Sequence, residues 1–303
     1  MMTKESYLLE RYGQAVQFLP PRLRASAMGV PRALQMNARE FRLRVGEPLM
    51  LLDEAREIPV KTETNLRHEE LATLVDIATG GSVHSAAESI RAGFLTVAGG
   101  HRVGLCGTGV QRGGEISFIR NISSAVIRIA KEFPGVSDGV YDELMQNGAF
   151  ENTLIIAPPG CGKTTMLRDL IRNLSDRAPG YRVAVADERS EIAAKFLGVP
   201  QFSVGHHTDV MEGLPKSQAM MLMLRAMSPD ILAVDEITVE EDIRAMECAA
   251  NCGVALLATA HGNDVECLFA RPLYRRLAEL SIFRFAVVLG IADGTYTWKV
   301  LEL

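Results

Sequence analysis

Residues 157–165 have the sequence Ala157-Pro-Pro-Gly-Cys-Gly-Lys-Thr-Thr165. They follow an apolar segment, Thr153–Ala157, and they open a segment with helical spacing, Thr164–Leu174. A strand, a glycine-rich turn and a helix in this order are typical of a phosphate loop, whose backbone N–H groups surround phosphate oxygens. The pattern GxxxxGK[ST] is complete except at its first glycine, which is Ala157 here, and alanine is small enough for the turn. The sequence therefore predicts a phosphate loop rather than an ordinary strand–helix turn.

This loop predicts a binding site for ATP and Mg²⁺. We expect Lys163 to reach the β- and γ-phosphates and the hydroxyl of Thr164 to ligate the magnesium ion. The residues expected to bind the nucleotide are Pro158, Pro159, Gly160, Cys161, Gly162, Lys163, Thr164 and Thr165.

The second element of the predicted site is an apolar segment with an acidic end, Ile231-Leu-Ala-Val-Asp-Glu236. A buried strand that ends in two carboxylates would bring Asp235 to the magnesium ion beside the loop. Glu236 could then orient and deprotonate the attacking water. Such a segment is common by itself, so the signal becomes specific only in combination with the phosphate loop.

Two more polar clusters follow predicted strands. Asp187-Glu-Arg-Ser-Glu191 comes after Val183–Ala186, and Thr259-Ala-His-Gly-Asn263 comes after Val254–Ala258. Because the carboxyl ends of strands in an open parallel sheet line one crevice, we expect both clusters to face the phosphate loop. Asp187 and Glu188 are predicted as further magnesium ligands and Glu191 as a catalytic residue. His261 is predicted to sense the γ-phosphate or to support the groups that do.

The second half of the chain alternates between apolar strands and helices. This pattern indicates a mostly parallel sheet with helices on both faces, a RecA-like α/β domain over residues 139–303. The predicted strands are Thr153–Ala157, Val183–Asp187, Ile231–Asp235, Val254–Thr259 and Phe285–Ile291. The predicted helices are Thr164–Leu174, Lys216–Met227, Glu240–Asn251 and Val265–Leu280. Asp293-Gly294 before Thr295–Leu301 predicts an added hairpin.

The first half indicates a smaller α+β domain over residues 1–134, with a linker at about 131–138. Residues 7–37 have helical spacing that three prolines interrupt, and Leu66–Thr79 has helical spacing that stops at two glycines. The predicted strands are Phe41–Val45, Leu49–Leu52, Gly93–Val97, Arg102–Gly107, Ile116–Arg120 and Ser124–Ala130.

Composition limits the class of protein. The 303 residues are 48% hydrophobic and 23% charged, which excludes a disordered chain, a collagen and a small disulfide scaffold. The net charge is −5, but residues 1–134 have 17 Lys and Arg against 14 acids, and 14 of these cations are arginines. Five cysteines without a CxxC pair indicate a reducing compartment. No signal peptide and no membrane-spanning run is evident, so we expect a cytoplasmic protein that reaches a membrane only through partners, without inserting into it.

The four strand-end elements together resemble the secretion and type IV pilus motor ATPase superfamily. Asp187–Glu191 resembles its Asp box, and Ala258–Asn263 resembles its His box. Leu224–Asp230 followed by Asp235–Glu241 resembles its Walker B region, with Glu236 and Glu241 at the positions of the two glutamates. Many secretion motors have glycine where this chain has Asp235.

The resemblance also covers arginines of the N-terminal half. Gly114–Arg120 has the glycine–glutamate–arginine spacing of the superfamily strand that carries a nucleotide-contacting arginine. The resemblance therefore implies that Arg120 contacts nucleotide, and Arg102 matches the other such arginine if a short insertion is allowed. Arg128 could replace either of them, and Arg120 could instead pair with Glu115.

A narrower resemblance covers roughly residues 39–303. The segments Glu40–Pro48, Gly100–Gly107 and Ile119–Ser124 are similar to the stage III sporulation protein AA family of endospore-forming bacteria. The resemblance implies a cytoplasmic homo-hexameric ATPase on the mother-cell side of a channel complex between mother cell and forespore. It also implies that membrane proteins of this channel are partners.

Two other classes of function compete with a secretion-type motor. A RecA-like nucleic-acid translocase is disfavoured because the chain is acidic and shows no Lys/Arg stripe with interleaved aromatics, so we expect no nucleic-acid partner. A scaffold that binds nucleotide without hydrolysis is disfavoured by Glu236 and by the acidic cluster at residues 187–191. The sequence thus favours a magnesium-dependent ATPase.

Overall fold

A computed structural model describes residues 3–53, 56–81, 90, 93–112, 115–292 and 295–303. The chain divides into two compact units. Unit 1 comprises Met1–Lys131 and Lys195–Gln201, and unit 2 comprises Glu132–Ala194 and Phe202–Leu303. The assignment of the short segment Lys195–Gln201 to unit 1 is not evident from the sequence. Within the residues described, no helix is both long enough and apolar enough to cross a bilayer.

Unit 1 contains a six-stranded antiparallel sheet with the strand order β3-β2-β1-β6-β5-β4. Its strands are β1 (Ala38–Arg44), β2 (Met50–Asp53), β3 (Arg56–Pro59), β4 (Phe94–Thr96), β5 (Arg102–Arg112) and β6 (Glu115–Arg128). Its helices are α1 (Lys4–Val16), α2 (Pro21–Met28), α3 (Arg32–Asn37) and α4 (His68–Thr79).

Alternation along the strands gives this sheet one apolar face. Phe41 and Leu43 are fully buried and join Tyr12 of α1 and Leu71 of α4 in one core. The sequence pattern predicts two strands, Ile116–Arg120 and Ser124–Ala130, but the structure has the single long strand β6, which runs through the first and ends at Arg128 within the second. The predicted turn at Gly113-Gly114 lies outside the described residues.

Unit 2 contains a seven-stranded sheet with the order β13-β12-β7-β11-β10-β8-β9. All neighbours are parallel except β12 and β13. Its strands are β7 (Thr153–Ala157), β8 (Val183–Asp187), β9 (Thr208–Glu212), β10 (Ile231–Glu236), β11 (Ala255–His261), β12 (Phe285–Ala292) and β13 (Thr295–Glu302). Its helices are α5 (Asp138–Leu144), α6 (Lys163–Asp176), α7 (Lys216–Ala226), α8 (Glu240–Asn251), α9 (Val265–Phe269) and α10 (Pro272–Glu279).

The predicted mixed α/β, RecA-like class is confirmed, with three local differences. The helix α5 is not among the predicted helices, and the edge strand β9, whose residues are only partly buried, is not among the predicted strands. The sequence pattern also predicts one helix over Val265–Leu280, where the structure has α9 and α10. The break has a clear cause, since Pro272 lacks a backbone N–H and begins the second helix.

The sheet of unit 2 is covered on both faces. Ile155 and Ala157 of β7 belong to one core with Leu167 and Leu170 of α6. The next side chains along β7, Leu154 and Ile156, belong to the core on the other face. This parallel sheet brings the carboxyl ends of β7, β11, β10 and β8 to one edge, where the candidate site lies.

Candidate functional site

The phosphate loop connects β7 to α6 through two glycines in the left-handed region. Gly160 has φ 79° and Gly162 has φ 77°, values that side chains with a Cβ rarely adopt. Gly162 is the N-cap of α6, and its carbonyl accepts the N–H of Met166. The loop borders a cavity of about 320 Å³. The cavity is lined by Pro158, Gly160, Gly162, Lys163, Thr164, Thr165, Arg189, Glu191, Asp235, Glu236 and His261.

Lys163 places a buried ammonium group in this cavity. Its Nζ atom has no hydrogen-bond partner among the described residues and lies 3.9 Å from Oε2 of Glu236. Burial lowers the pKa of Lys163, while the charges of Glu236 and Asp235 act in the opposite direction. Because buried polar groups are almost always paired, an unpaired ammonium here fits an anionic ligand such as a phosphate.

Asp235 lies at the end of β10 in the same cavity as Thr164. Burial raises the pKa of the Asp235 carboxyl, and the charge of Glu191 raises it further, whereas Lys163 and Lys216 lower it. In the described part of the chain, no three or more His, Cys, Asp or Glu side chains cluster as metal ligands. Mg²⁺ does not need such a cluster, because nucleotide phosphates and water complete its shell around one or two protein ligands. Thr164 and Asp235 fit this role.

Glu236 is contacted from two directions. Its Oε2 atom lies 3.1 Å from Nε2 of His261 and 3.9 Å from Nζ of Lys163. The parallel pairing of β10 with β11 produces this contact, since Glu236 is in register with Thr259, two residues before His261. The Nδ1 atom of His261 is buried and has no hydrogen-bond partner in the described structure. A carboxylate held in this way at the cavity wall is suited to accept a proton.

Asp187, which was predicted as a magnesium ligand, has its carboxylate in the turn after β8. Its side chain is fully buried, and its carboxylate accepts the backbone N–H groups of Glu191, Ile192 and Ala193 at 2.8–3.0 Å. Asp187 therefore shapes the turn after β8, and it is not among the residues that line the cavity. Glu188 does not line the cavity either, because its Oε2 atom pairs with Nζ of Lys216 at 3.1 Å.

Some residues of the site differ from those predicted. Of the cluster at residues 187–191, Glu191 lines the cavity as expected, and so does Arg189, which was not predicted. The sequence signal for Arg189 was its position as a cation within an acidic cluster at a strand end. In the loop, the side chains of Pro159 and Cys161 are not part of the cavity wall, and Cys161 packs against the core of unit 2.

The candidate arginines of unit 1 lie in two different places. Arg102 of β5 and Arg128 of β6 are directly opposite each other, and Arg128 is opposite Glu40 of β1. Arg128 pairs with Glu40 at 3.1 Å, and the guanidinium of Arg102 lies 3.5 Å from the ring centre of Phe94. Arg120 instead lines a groove of about 360 Å³ together with α4. The Glu115 side chain, its alternative partner, lies outside the described part of the structure.

Comparisons with solved structures agree with this architecture. The structure resembles the pilus retraction motor PilT with bound ADP, with a TM-score of 0.62 at 16% identity, over 89% of this chain and 80% of that one. It also resembles the ATPase DotB of Legionella pneumophila, with a TM-score of 0.57 at 18% identity, over 88% and 76% of the two chains. At such identities these likenesses establish the fold.

Sequence comparison identifies the family. The chain is 34% identical to stage III sporulation protein AA of Bacillus subtilis (strain 168) over 287 residues, which cover 94% of this chain and 92% of that protein. The family model described as sporulation stage III, protein AA matches residues 11–299. The chain therefore belongs to the sporulation stage III protein AA family.

Proposed function

We propose that this protein is a magnesium-dependent ATPase whose active site is the cavity at the phosphate loop. The observation that carries the proposal is the buried ammonium of Lys163, which has no hydrogen-bond partner in the described structure and lies 3.9 Å from Glu236, in a cavity that Thr164 and Asp235 also line. The fold supports it, since solved structures with this fold include the ATPase DotB and the motor PilT with bound ADP.

Each residue of the cavity has a place in the proposed reaction. Lys163 and the N–H groups at the start of α6 bind the phosphates, and Thr164 and Asp235 hold the magnesium ion. When bound, the ion would neutralise part of the charge that develops on the phosphates. Glu236 accepts a proton from the attacking water, a role typically worth about 10²–10⁴-fold in rate. His261 positions the Glu236 carboxylate through the 3.1 Å contact.

The proposal extends to assembly and location. All residues of the cavity belong to unit 2, and the candidate arginines belong to unit 1. We propose that Arg120 or Arg102 stabilises the γ-phosphoryl charge within a homo-hexameric ring. Such arginines are worth about 10³–10⁵-fold in rate in related phosphoryl transfers. The ring would act in the cytoplasm, at the membrane, on membrane proteins of a sporulation channel.

Nucleotide binding tests the site itself. Lys163→Ala removes the cation of the cavity, so the affinity for ATP is expected to fall at least about tenfold, in the range of a lost charge-assisted hydrogen bond. Lys61→Ala, at an exposed position in unit 1, is the matched control and should bind ATP like the parent protein. Calorimetric titration with Mg–ATP measures both. Equal affinity in all three proteins would contradict the assignment of the phosphate loop.

A further inference from the structure

Two large side chains remain exposed beside the phosphate loop. Ile291 of β12 is 52% exposed and Tyr296 of β13 is 64% exposed. The two residues are directly opposite each other in the β12–β13 hairpin, so they form a small apolar patch. Through Tyr296 this patch adjoins the loop that borders the cavity.

The hairpin holds Tyr296 against the loop. β12 is parallel to β7 with Val288 opposite Ile156, so the last residues of β12 extend past the end of β7 to the level of the phosphate loop. A Cβ atom at Gly162 would lie 3.7 Å from Cε1 of the Tyr296 ring, an ordinary contact distance. The tyrosine ring is therefore in contact range of the last loop residue before α6.

The next side chain on the same face of β13, Trp298, packs against α5 and so holds the strand in place. Trp298, two residues after Tyr296, packs directly on Gly139 of α5, where a Cβ atom would lie only 2.7 Å from Cζ2 of the indole. Only a glycine leaves room for the indole at this position. The contact anchors β13 to α5, and Tyr296 is presented from an anchored strand.

The strand order shows which part of a nucleotide this patch would meet. β12 and β13 lie on one side of β7, and β11, β10 and β8 lie on the other. Glu236 and His261, which are suited to the attacking water and the γ-phosphate, come from the second side, on β10 and β11. A nucleotide with its γ-phosphate at those groups directs its base away from them, toward the β12–β13 hairpin.

We propose that the ring of Tyr296, together with Ile291, forms the platform on which the purine base of the nucleotide stacks. This inference rests on the proposed function, since it requires that the loop bind the phosphates of a nucleotide. Stacking on an aromatic face needs no particular pattern of hydrogen bonds, so the platform accepts adenine and guanine alike.

Two ligands separate the platform from the phosphate site. Tyr296→Ala is expected to weaken Mg–ATP binding between about 5-fold and about 100-fold, the range for loss of one aromatic–base stack. Its affinity for Mg–tripolyphosphate, which has no base, should equal that of the parent protein. Tyr296→Phe keeps the ring and should keep the ATP affinity. Phe118→Ala, which removes an exposed aromatic ring in unit 1, is the matched control.

Trp298 provides an independent readout because it is the only tryptophan of the chain. Its fluorescence should change more on addition of Mg–ATP than of Mg–tripolyphosphate in the parent protein, and this difference should disappear in Tyr296→Ala. Unchanged ATP affinity in Tyr296→Ala would overturn the inference, and so would an equal loss of affinity for both ligands. If the parent protein bound neither ligand, the proposed function would fail and the platform with it.

Discussion

Asp187 and Asp235 lie at the ends of neighbouring strands of one sheet, yet their carboxylates have different surroundings. Three backbone N–H groups donate hydrogen bonds to the buried carboxylate of Asp187, whereas Asp235 lines the cavity beside the phosphate loop. The sequence places both at strand ends and cannot separate them, because the distinction depends on how the chain turns after residue 187. A carboxylate has about four acceptor sites, and the N–H groups of its own turn use those of Asp187.

Substitution of each aspartate by asparagine tests this assignment. Asp187→Asn exchanges an acceptor for a donor among three N–H groups, so stability should fall by about 1–3 kcal/mol. The Mg²⁺ concentration for half-maximal hydrolysis should stay the same. Asp235→Asn should raise that concentration with a smaller effect on stability. Urea unfolding and magnesium titration measure the two quantities, and a raised magnesium requirement in Asp187→Asn would contradict the assignment.

At the scale of elements, His101 couples the start of β5 to the end of β6. Its Nδ1 atom accepts the backbone N–H of Ala130 at 3.1 Å, so the ring must be neutral there. The imidazole is fully buried, and this burial, aided by the charge of Arg11, lowers the pKa of His101 from 6.5 to about 3. The folded chain therefore keeps this histidine neutral over a pH range in which the unfolded chain protonates it.

The free energy of unfolding of the region around His101 should depend on pH between about 6.5 and about 3. Between about pH 6.5 and about pH 3 the unfolded state binds a proton that the folded state does not, so stability falls as the pH falls, by at most about 1.4 kcal/mol per pH unit. Above about pH 6.5 this contribution is complete. Hydrogen exchange of the β5 and β6 amides in the full chain, corrected for intrinsic rates, measures this pH dependence of stability.

His101→Asn is the control for this window. The asparagine amide can still accept the N–H of Ala130 but does not titrate, so the acid-dependent loss of protection should become shallower. The same slope in the parent protein and in His101→Asn would show that other groups govern the acid response.

The elements also show how far the sequence determines the structure. The bounds of β7, β8 and α8 were predicted as the structure has them, because the two strands are continuous apolar segments and the helix is amphipathic. The strand β9 was missed because its half-buried residues lack a strong pattern. Tyr296 had no local signal at all, since only the register of the β12–β13 hairpin brings it to the loop.

At the scale of the whole molecule, the carboxylates of Glu191, Asp235 and Glu236 and the buried ammonium of Lys163 all line one cavity of unit 2. The arginines that the family resemblance implies are in unit 1, where Arg120 lines the groove beside α4 and Arg102 lies against Phe94. A ring in which arginines complete the site gives each chain little activity by itself. Hydrolysis per chain should then depend on the concentration of the protein.

Phosphate release from ATP by the full chain, measured over a wide range of protein concentrations with and without Mg²⁺, tests the central claim most directly. Glu236→Gln, which keeps the shape of the side chain and loses its basicity, is the comparison. We predict release that requires Mg²⁺, that rises per chain with concentration to a plateau, and that falls about 10²–10⁴-fold in the variant. Absence of release at every concentration, or equal release by Glu236→Gln, would contradict the account.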